Sequence, residues 1–170
     1  AIMASGSVEC ERGAGYALRM KSFANAADLR RTLERLRHLT PESQRLWGTM
    51  TPNEMLCHVA DALRVVLGER PMDLRITRFS RTVVKWIALR APFPWAKGIR
   101  TGRTVDARRD GTRPADFAHD LAAVAEITGR FVGQSAAMSM PHPLFGKLTQ
   151  AEWLRWAYLH ADHHLRQFGL

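Results

Sequence analysis

Apolar residues recur every three or four positions in five stretches of the chain, and polar or proline-containing connections separate these stretches. This period places the apolar side chains on one face of an α-helix. It predicts helices over residues 22–38, 51–67, 74–90, 114–131 and 149–169. The sequence shows no strong alternating strand pattern and no internal repeat. The pattern therefore predicts an all-α protein.

Two of the predicted helices begin with the signature of a capping box. Thr51 and Glu54 open the second helix, with Pro52 at its first position, and Thr149 and Glu152 open the fifth. In such a box the hydroxyl and the carboxylate each bond to a backbone N–H that has no partner within the helix. We therefore interpret both glutamates as helix caps.

Amphipathic helices joined by connections of unequal length favour a helical bundle. We predict an up-and-down four-helix bundle with an extra short helix or long loop, in which the second helix packs against the fifth. The polar, basic run 97–114 is the longest predicted loop. The third helix is predicted to turn its apolar residues inward, namely Ile76, Phe79, Val83, Trp86 and Ile87.

The length of 170 residues suits one ordinary domain, and an apolar fraction of 46% excludes disorder throughout. We assign residues 22–170 to a single helical domain. Residues 1–21 are assigned to an N-terminal arm, whose opening residues resemble a cloning remnant. Two cysteines, Cys10 and Cys57, do not make a disulfide framework. We expect Cys57 to pack in the core rather than to act as a nucleophile.

The net charge of +9 arises from 25 Lys and Arg against 16 Asp and Glu. Most arginines are spread along the chain, and no nucleic-acid motif accompanies them. We therefore expect only weak, sequence-independent DNA binding that fades with added salt. No run approaches roughly 18 consecutive apolar residues, and no signal peptide is recognisable. These features predict a cytoplasmic protein without a membrane partner.

Candidate chemistry concentrates in the last predicted helix, which carries His160, His163 and His164. Residues His160 and His164 are four apart, so their side chains lie on one helical face and can converge on one metal ion. Gln167 follows one turn later, where it can orient a ligand or hold a water molecule. A solvated helix end is the alternative interpretation of these histidines. His58 borders the apolar stripe of the second helix, as either a hydrogen-bonded core histidine or a ligand.

Three motifs resemble an uncharacterised branch of the DinB-like (YfiT-like) metalloenzyme family. They are W-G-T-M-T-P-N-E-M-L-C-H-V-A-D-A at 47–62, H-P-L-F-G-K-L-T-Q-A-E-W at 142–153 and H-A-D-H-H-L-R-Q-F at 160–168. The resemblance implies a four-helix bundle, often a homodimer, with one metal-binding His on the second helix and two on the last. On this sequence the implied ligands are His58, His160 and His164, with His163 as the alternative on the last helix. Some relatives use low-molecular-weight thiols, which makes such a thiol a candidate substrate.

A site of three neutral imidazoles suits zinc, nickel, iron or copper and leaves a coordination position for water or substrate. Asp61 and Asp162 are candidate acceptors for ring N–H groups, although a surface carboxylate is the favoured interpretation of each. His142, in a proline-flanked loop, is expected to make a structural hydrogen bond. The catalytic residues themselves are not identified.

Three functions compete at this point. The first is a divalent-metal-dependent enzyme, a thiol-dependent transferase or a hydrolase acting on a small molecule. The second is a non-catalytic metal- or ligand-binding helical protein. The third, a nucleic-acid binder, rests on the charge alone. An open coordination position beside a pocket would favour the first over the second.

Overall fold

The computed structural model describes residues 19–71, 75–135 and 140–170, and within these ranges the chain forms five α-helices and no strand. The all-α prediction is therefore confirmed, while the narrower four-helix bundle stays a prediction. The helices are α1 Ala26–Arg37, α2 Pro52–Val66, α3 Lys85–Arg90, α4 Phe117–Gln134 and α5 Gln150–Gln167. A π-helical turn, Ser80–Val84, leads into α3, and a 3-10 turn, Arg103–Val105, lies in the long loop before α4.

Both predicted capping boxes are present. The Thr51 hydroxyl accepts from the Glu54 N–H at 3.2 Å, and the Glu54 carboxylate accepts from the Thr51 N–H at 2.8 Å. Thr149 and Glu152 repeat this arrangement at the start of α5, at 3.2 and 2.9 Å. These caps fix where the two histidine-bearing helices begin.

The α2 helix lies at the centre of the fold. It packs against α4 and α5, and the 3-10 turn of the long loop covers part of it. Twelve of its 15 residues are buried, so α2 lacks the solvent-facing side that a simple amphipathic helix keeps. Two of the buried residues, His58 and Asp61, are polar and therefore need partners inside the protein.

The third predicted helix differs most from the sequence-based expectation. Helical structure begins only at Ser80, and the side chains predicted to face inward are exposed, led by Phe79 at 64% and Trp86 at 61%. The opposite face is held by polar anchors, because the Ser80 hydroxyl donates to the Leu144 carbonyl at 2.7 Å and Lys85 pairs with Glu152 at 2.9 Å. These anchors turn the apolar stripe outward, so the prediction of its direction is wrong.

Residues 1–18 lie outside the described residues, so the prediction of an N-terminal arm is not tested there. None of the helices in the described ranges combines the length and apolarity needed to cross a bilayer. The assignment of residues 22–170 to one domain stays a prediction.

Candidate metal centre

Three histidines meet where α2 faces α5. His58 comes from α2, and His160 and His164 come from α5. Their exposed fractions are 7%, 9% and 7%, and one ring nitrogen of each lies within 4.8 Å of the others. The closest pair is Nε2 of His58 and Nε2 of His160, at 3.1 Å. The structure thus brings together the three side chains that the sequence singled out, and we call them the histidine cluster.

The orientation of His58 is fixed by the long loop. Its Nδ1 lies 2.9 Å from the backbone carbonyl of Val105 in the 3-10 turn. Because a carbonyl oxygen can only accept, Nδ1 carries the proton and donates it. The Nε2 lone pair then points into the cluster, which is the tautomer that a metal ligand requires.

A second hydrogen-bonded relay orients His164. Its Nδ1 lies 3.1 Å from Oε1 of Gln167, while Nε2 of Gln167 donates to the Trp47 carbonyl at 3.0 Å. The Trp47 carbonyl sets the orientation of the amide, so its oxygen faces the imidazole and accepts the Nδ1 proton. The Nε2 lone pair of His164 is thereby available to the cluster. Gln167 thus contacts the ring of His164, and its role in orienting a metal ligand stays a prediction.

Gly48 provides the room for this relay. Its φ is +80°, and a Cβ at this position would lie 2.5 Å from Nε2 of Gln167. A side chain would therefore displace the amide, in a backbone conformation that only glycine adopts easily. Gly48 was not predicted from the sequence as a supporting residue, although its place just before the Thr51–Glu54 capping box was a usable signal.

Aromatic rings surround the cluster. The ring of His160 stacks on Trp156, with centroids 5.1 Å apart and planes 11° from parallel, and Trp95 lies 6.2 Å away on another side. Burial among these rings lowers the pKa of His58 and lowers the pKa of His160 and of His164 well below the usual imidazole value. The neighbouring histidines add to this lowering at His160 and His164, because like charges would repel. The rings are therefore held neutral, the form that binds metal ions.

His163, the alternative ligand, lies outside the cluster. Its ring packs edge-on against Trp47 at 4.7 Å and lies 6.0 Å from Trp95. The side chain is only partly buried, and burial lowers the pKa of this ring too. His163 thus belongs to the wall beside the site, where an imidazole can still exchange protons with water.

The carboxylates considered as acceptors for the rings bond elsewhere. Asp61 is fully buried, contrary to the favoured surface interpretation, and accepts from the Thr112 N–H at 2.6 Å and hydroxyl at 2.8 Å. It also pairs with Arg64 and Arg70, so it ties α2 to the loop before α4. Asp61 instead influences His58 only through its charge, which opposes the effect of burial on the pKa of that ring.

The second candidate carboxylate, Asp162, also lies away from the rings. It pairs with Arg35 at 2.6 Å and with Arg166 at 3.9 Å, as a partly exposed ion pair between α1 and α5. This placement agrees with the favoured interpretation of Asp162 as a surface carboxylate. The hydrogen-bond acceptors of the cluster are thus a backbone carbonyl and an amide rather than carboxylates.

Two further expectations agree with the structure. Nδ1 of His142 accepts from the backbone N–H groups of Leu144 and Phe145, both at 3.1 Å, and burial lowers the pKa of this ring to about 3. His142 is therefore a structural residue. Cys57 is a buried free thiol, and burial, with Asp120 nearby, raises its pKa to about 12. Such a thiol is not available as a thiolate near neutral pH.

A cavity of about 320 Å³ opens beside the cluster. His163, His164 and Gln167 form its inner wall, and residues 47–50 and 98–101 form its sides. Arg100 and Arg109 contribute positive charge, whereas the carboxylate among its lining residues, Asp106, pairs with Arg109 at 3.4 Å. The cavity is large enough for a small molecule, and its polarity favours an anionic group near Arg100.

The fold and this site can be compared with known proteins. A family model described as "Protein of unknown function (DUF1569)" matches residues 19–169. The chain belongs to the DUF1569 family. The match includes all four histidines on α2 and α5 and the long loop that supplies Val105. No curated protein and no solved structure matches the chain.

Membership of the DUF1569 family corrects the resemblance drawn from the three motifs. The DinB-like assignment is wrong, because the family model that covers nearly the whole described chain is DUF1569. The motifs that suggested the resemblance consist of a capping box, which is a common helix start, and of histidines at helical spacing, and neither is specific to one family. The homodimer and the thiol substrate were implied by that resemblance alone, so the resemblance no longer supports them.

Proposed function

We propose that this DUF1569 protein is a divalent-metal-dependent enzyme in which His58, His160 and His164 hold the ion. The supporting observation is the convergence of three buried, neutral imidazoles within 4.8 Å of one another. Two of them already have Nδ1 engaged by an acceptor, so that Nε2 faces the cluster. Burying three polar rings together is costly unless each finds a partner, and one cation satisfies all three lone pairs.

The donor set fits zinc, nickel or iron, because imidazole nitrogens suit these ions. Adjacent ligands of a tetrahedral zinc ion are about 3.3 Å apart when each bond is about 2.0–2.1 Å. The contact of 3.1 Å between His58 and His160 is already near this spacing, whereas the limit of 4.8 Å requires the rings to move closer on binding. When bound, a divalent ion would acidify a water molecule or hold a thiol as thiolate.

The cavity favours an enzyme over a protein that only stores or senses a metal. Three protein ligands leave a coordination position, and the cavity reaches the cluster at His164. A substrate in the cavity would meet Arg100 on one side and His163 at the inner wall. We propose that Arg100 orients an anionic group and that neutral His163 accepts a proton from water or substrate.

The second candidate is a ligand-binding protein without catalysis. It is favoured by the contact between His58 and His160, because Nε2 of His160 can donate directly to Nε2 of His58 at 3.1 Å without any metal. In that arrangement the cluster is a polar core element, and the cavity binds a ligand through Trp47 and Arg100.

Elemental analysis of the protein purified without added metal tests the proposal. We expect close to one equivalent of zinc, nickel or iron, and turnover in a panel of ester, amide and thiol-transfer substrates that chelation removes and the same ion restores. His163→Ala serves as the matched variant, since it should keep the ion and lose turnover. Bound metal with no turnover in the panel would favour the binding protein, and failure to bind any of the three ions would contradict the metal centre.

A further inference from the structure

A second unusual region is the stretch 75–105, which contains no Asp or Glu. The same stretch carries eight basic residues: Arg75, Arg78, Arg81, Lys85, Arg90, Lys97, Arg100 and Arg103. The eight positive charges of this one continuous piece are therefore nearly equal to the net charge of +9 of the whole chain. Such a concentration of one sign produces a field that attracts anionic partners.

Large apolar side chains are exposed in this basic stretch. In the segment 79–90, which consists of Phe79, the π-helical turn and α3, the exposed fractions are 64% for Phe79, 44% for Val83, 61% for Trp86 and 52% for Ile87. Their spacing of three or four residues places them on one side of the segment. Together with Arg78 and Arg90 they form what we call the basic–aromatic face.

The exposure of this face is imposed by the fold. The inner side of the segment is anchored by Ser80, which donates to the Leu144 carbonyl, and by Leu89, which is only 3% exposed. Lys85 reaches inward to Glu152. The segment cannot rotate its aromatic residues into the core without breaking these contacts, so the apolar side remains directed at solvent.

The arginines of the face are available to a partner. Arg78 and Arg90 make no ion pair within the described residues, whereas Arg64, Arg108 and Arg130 elsewhere in the chain are each paired with a carboxylate. An apolar side with unpaired arginines at its edge is the composition of helices that lie in the plane of a bilayer surface.

We propose that the basic–aromatic face docks the protein on anionic lipid bilayers as a peripheral protein. Phe79, Val83, Trp86 and Ile87 would enter the boundary between headgroups and acyl chains, while Arg78 and Arg90 contact lipid phosphates. Docking of this kind requires no spanning helix. The inference replaces the sequence-based expectation of no membrane partner, and it does not depend on the metal centre.

Charge argues against a second copy of this chain as the partner of this face, and the exposed apolar side chains argue against nucleic acid. A twofold contact between copies of this chain would bring two such stretches together, and within the described residues only Lys85 and Arg103 of the eight basic residues are offset by an ion pair, with Glu152 and Asp110. Nucleic acid would satisfy the arginines but would leave aliphatic side chains such as Val83 and Ile87 unburied. A bilayer surface offers both an anionic layer and an apolar layer.

Cosedimentation of the full chain with vesicles tests the proposal. We expect binding to phosphatidylglycerol vesicles and little binding to phosphatidylcholine vesicles. Neutralising two arginines in Arg78→Gln/Arg90→Gln should weaken partitioning about 25-fold at low salt, at roughly fivefold for each basic residue at the surface. Phe79→Ser/Trp86→Ser should weaken it by at least about tenfold and remove the part that survives high salt, because that part comes from apolar burial.

Matched variants outside the face provide the controls. Arg30→Gln/Arg113→Gln makes the same change in net charge, and Met20→Ser removes another exposed apolar side chain. Both should partition like the unchanged protein, and circular dichroism should show all variants equally helical.

Three results would overturn the proposal. One is equal binding to both kinds of vesicle, or to neither. The second is a dimer in solution that Phe79→Ser/Trp86→Ser converts to a monomer, which would make the face a contact between copies. The third is DNA binding that is weakened by Arg78→Gln/Arg90→Gln but unchanged by Phe79→Ser/Trp86→Ser. Vesicles would not compete with this DNA binding.

Discussion

The histidine cluster and the basic–aromatic face both depart from the usual distribution of side chains, in which apolar groups are buried and polar groups are exposed. The cluster buries polar groups, and the face exposes apolar ones. In the cluster, polar rings are enclosed among Trp95, Trp156 and the core of α2. On the face, aromatic and aliphatic side chains point outward beside unpaired arginines. Both arrangements cost free energy in an isolated chain, the first by desolvation and the second by exposure.

The difference between these regions lies in what holds each one in place. The cluster is fixed by hydrogen bonds that the rings of His58 and His164 donate to Val105 and Gln167, so its geometry is specific to what the remaining nitrogens bind. The face is fixed only from behind, by Ser80 and Leu89, and its outer side chains have freedom to adapt. A small ion requires ligands whose orientation is fixed by hydrogen bonds. A fluid or extended partner requires only a surface that is held in place from behind.

The largest expected effect comes from removing a ligand of the proposed metal ion. His164→Ala should abolish metal retention, a greater loss than the roughly 10–100-fold expected for a residue that only supports a ligand. Added metal at a thousandfold excess over Kd should stabilise the unchanged protein by about 4 kcal/mol and leave His164→Ala unaffected. Elemental analysis and thermal unfolding with and without metal measure both quantities.

The neighbouring histidine provides the control for that experiment. His163→Ala alters the adjacent residue in the same way but should retain the ion, because its ring lies against Trp47 rather than in the cluster. If His163→Ala loses the metal and His164→Ala keeps it, the ligand assignment is wrong although the centre survives.

The next largest effect is expected on stability, when substitutions on the buried and exposed sides of α3 are compared. Leu89→Ala should lower the free energy of unfolding by about 2–5 kcal/mol, because it removes a side chain that is 3% exposed. Ile87→Ala, two residues earlier and 52% exposed, should change it by no more than about 0.5 kcal/mol. Urea unfolding of both variants makes the measurement. A large loss in Ile87→Ala would mean that the face is covered in solution, for example by another copy.

The sequence predicted the helices, both capping boxes and the histidines of the cluster because these follow from local signals. Period, cap residues and a four-residue spacing are all properties of neighbours along the chain. The direction of α3 could not be predicted, since the apolar stripe from Phe79 to Ile87 carries the same signal whether it faces the core or solvent. Its orientation depends on Ser80 meeting the Leu144 carbonyl, a contact 64 residues away.

The supports of the cluster escaped prediction for a related reason. The partner of His58 is the carbonyl of Val105, and a backbone group has no residue-type signature. Asp61 looked like a partner because it lies three residues after His58, yet the loop residue Thr112 takes its carboxylate. Spacing along one helix identifies which side chains share a face, but not which distant loop covers that face.

An intermediate effect on metal affinity is expected from disturbing the hydrogen bonds that connect Trp47, Gln167 and His164. Gly48→Ala should weaken metal binding by roughly 10–100-fold, because its Cβ would displace the Gln167 amide that orients the imidazole. Gly68→Ala is the matched control, since Gly68 has nearly the same φ, +79°, with open space around the added Cβ. Calorimetric titration of both variants compares affinities. Equal losses would show that backbone strain, and not the amide, is responsible.

The smallest expected effect concerns His142, which is as buried as the cluster but has its Nδ1 satisfied by two backbone N–H groups. Its pKa is about 3 in the folded protein, against about 6.5 when unfolded. Below pH 6.5 the unfolded chain therefore binds a proton that the folded chain does not, and stability falls with falling pH until about pH 3. This single group should lower the free energy of unfolding by about 1 kcal/mol between pH 7 and pH 5.5.

The variant His142→Asn isolates that contribution, because its side-chain oxygen can accept the same two N–H bonds and does not titrate. The unchanged protein and His142→Asn should thus differ in pH dependence by about 1 kcal/mol over this range when urea unfolding is measured without metal. The loss that remains in His142→Asn then comes from the cluster and from His163, because burial lowers the pKa of these rings as well. Added metal should remove the part that comes from the cluster by occupying its nitrogens, whereas the contribution of His142 should be insensitive to metal. Identical pH profiles for the two proteins would show that His142 takes up a proton in the folded state as readily as in the unfolded one.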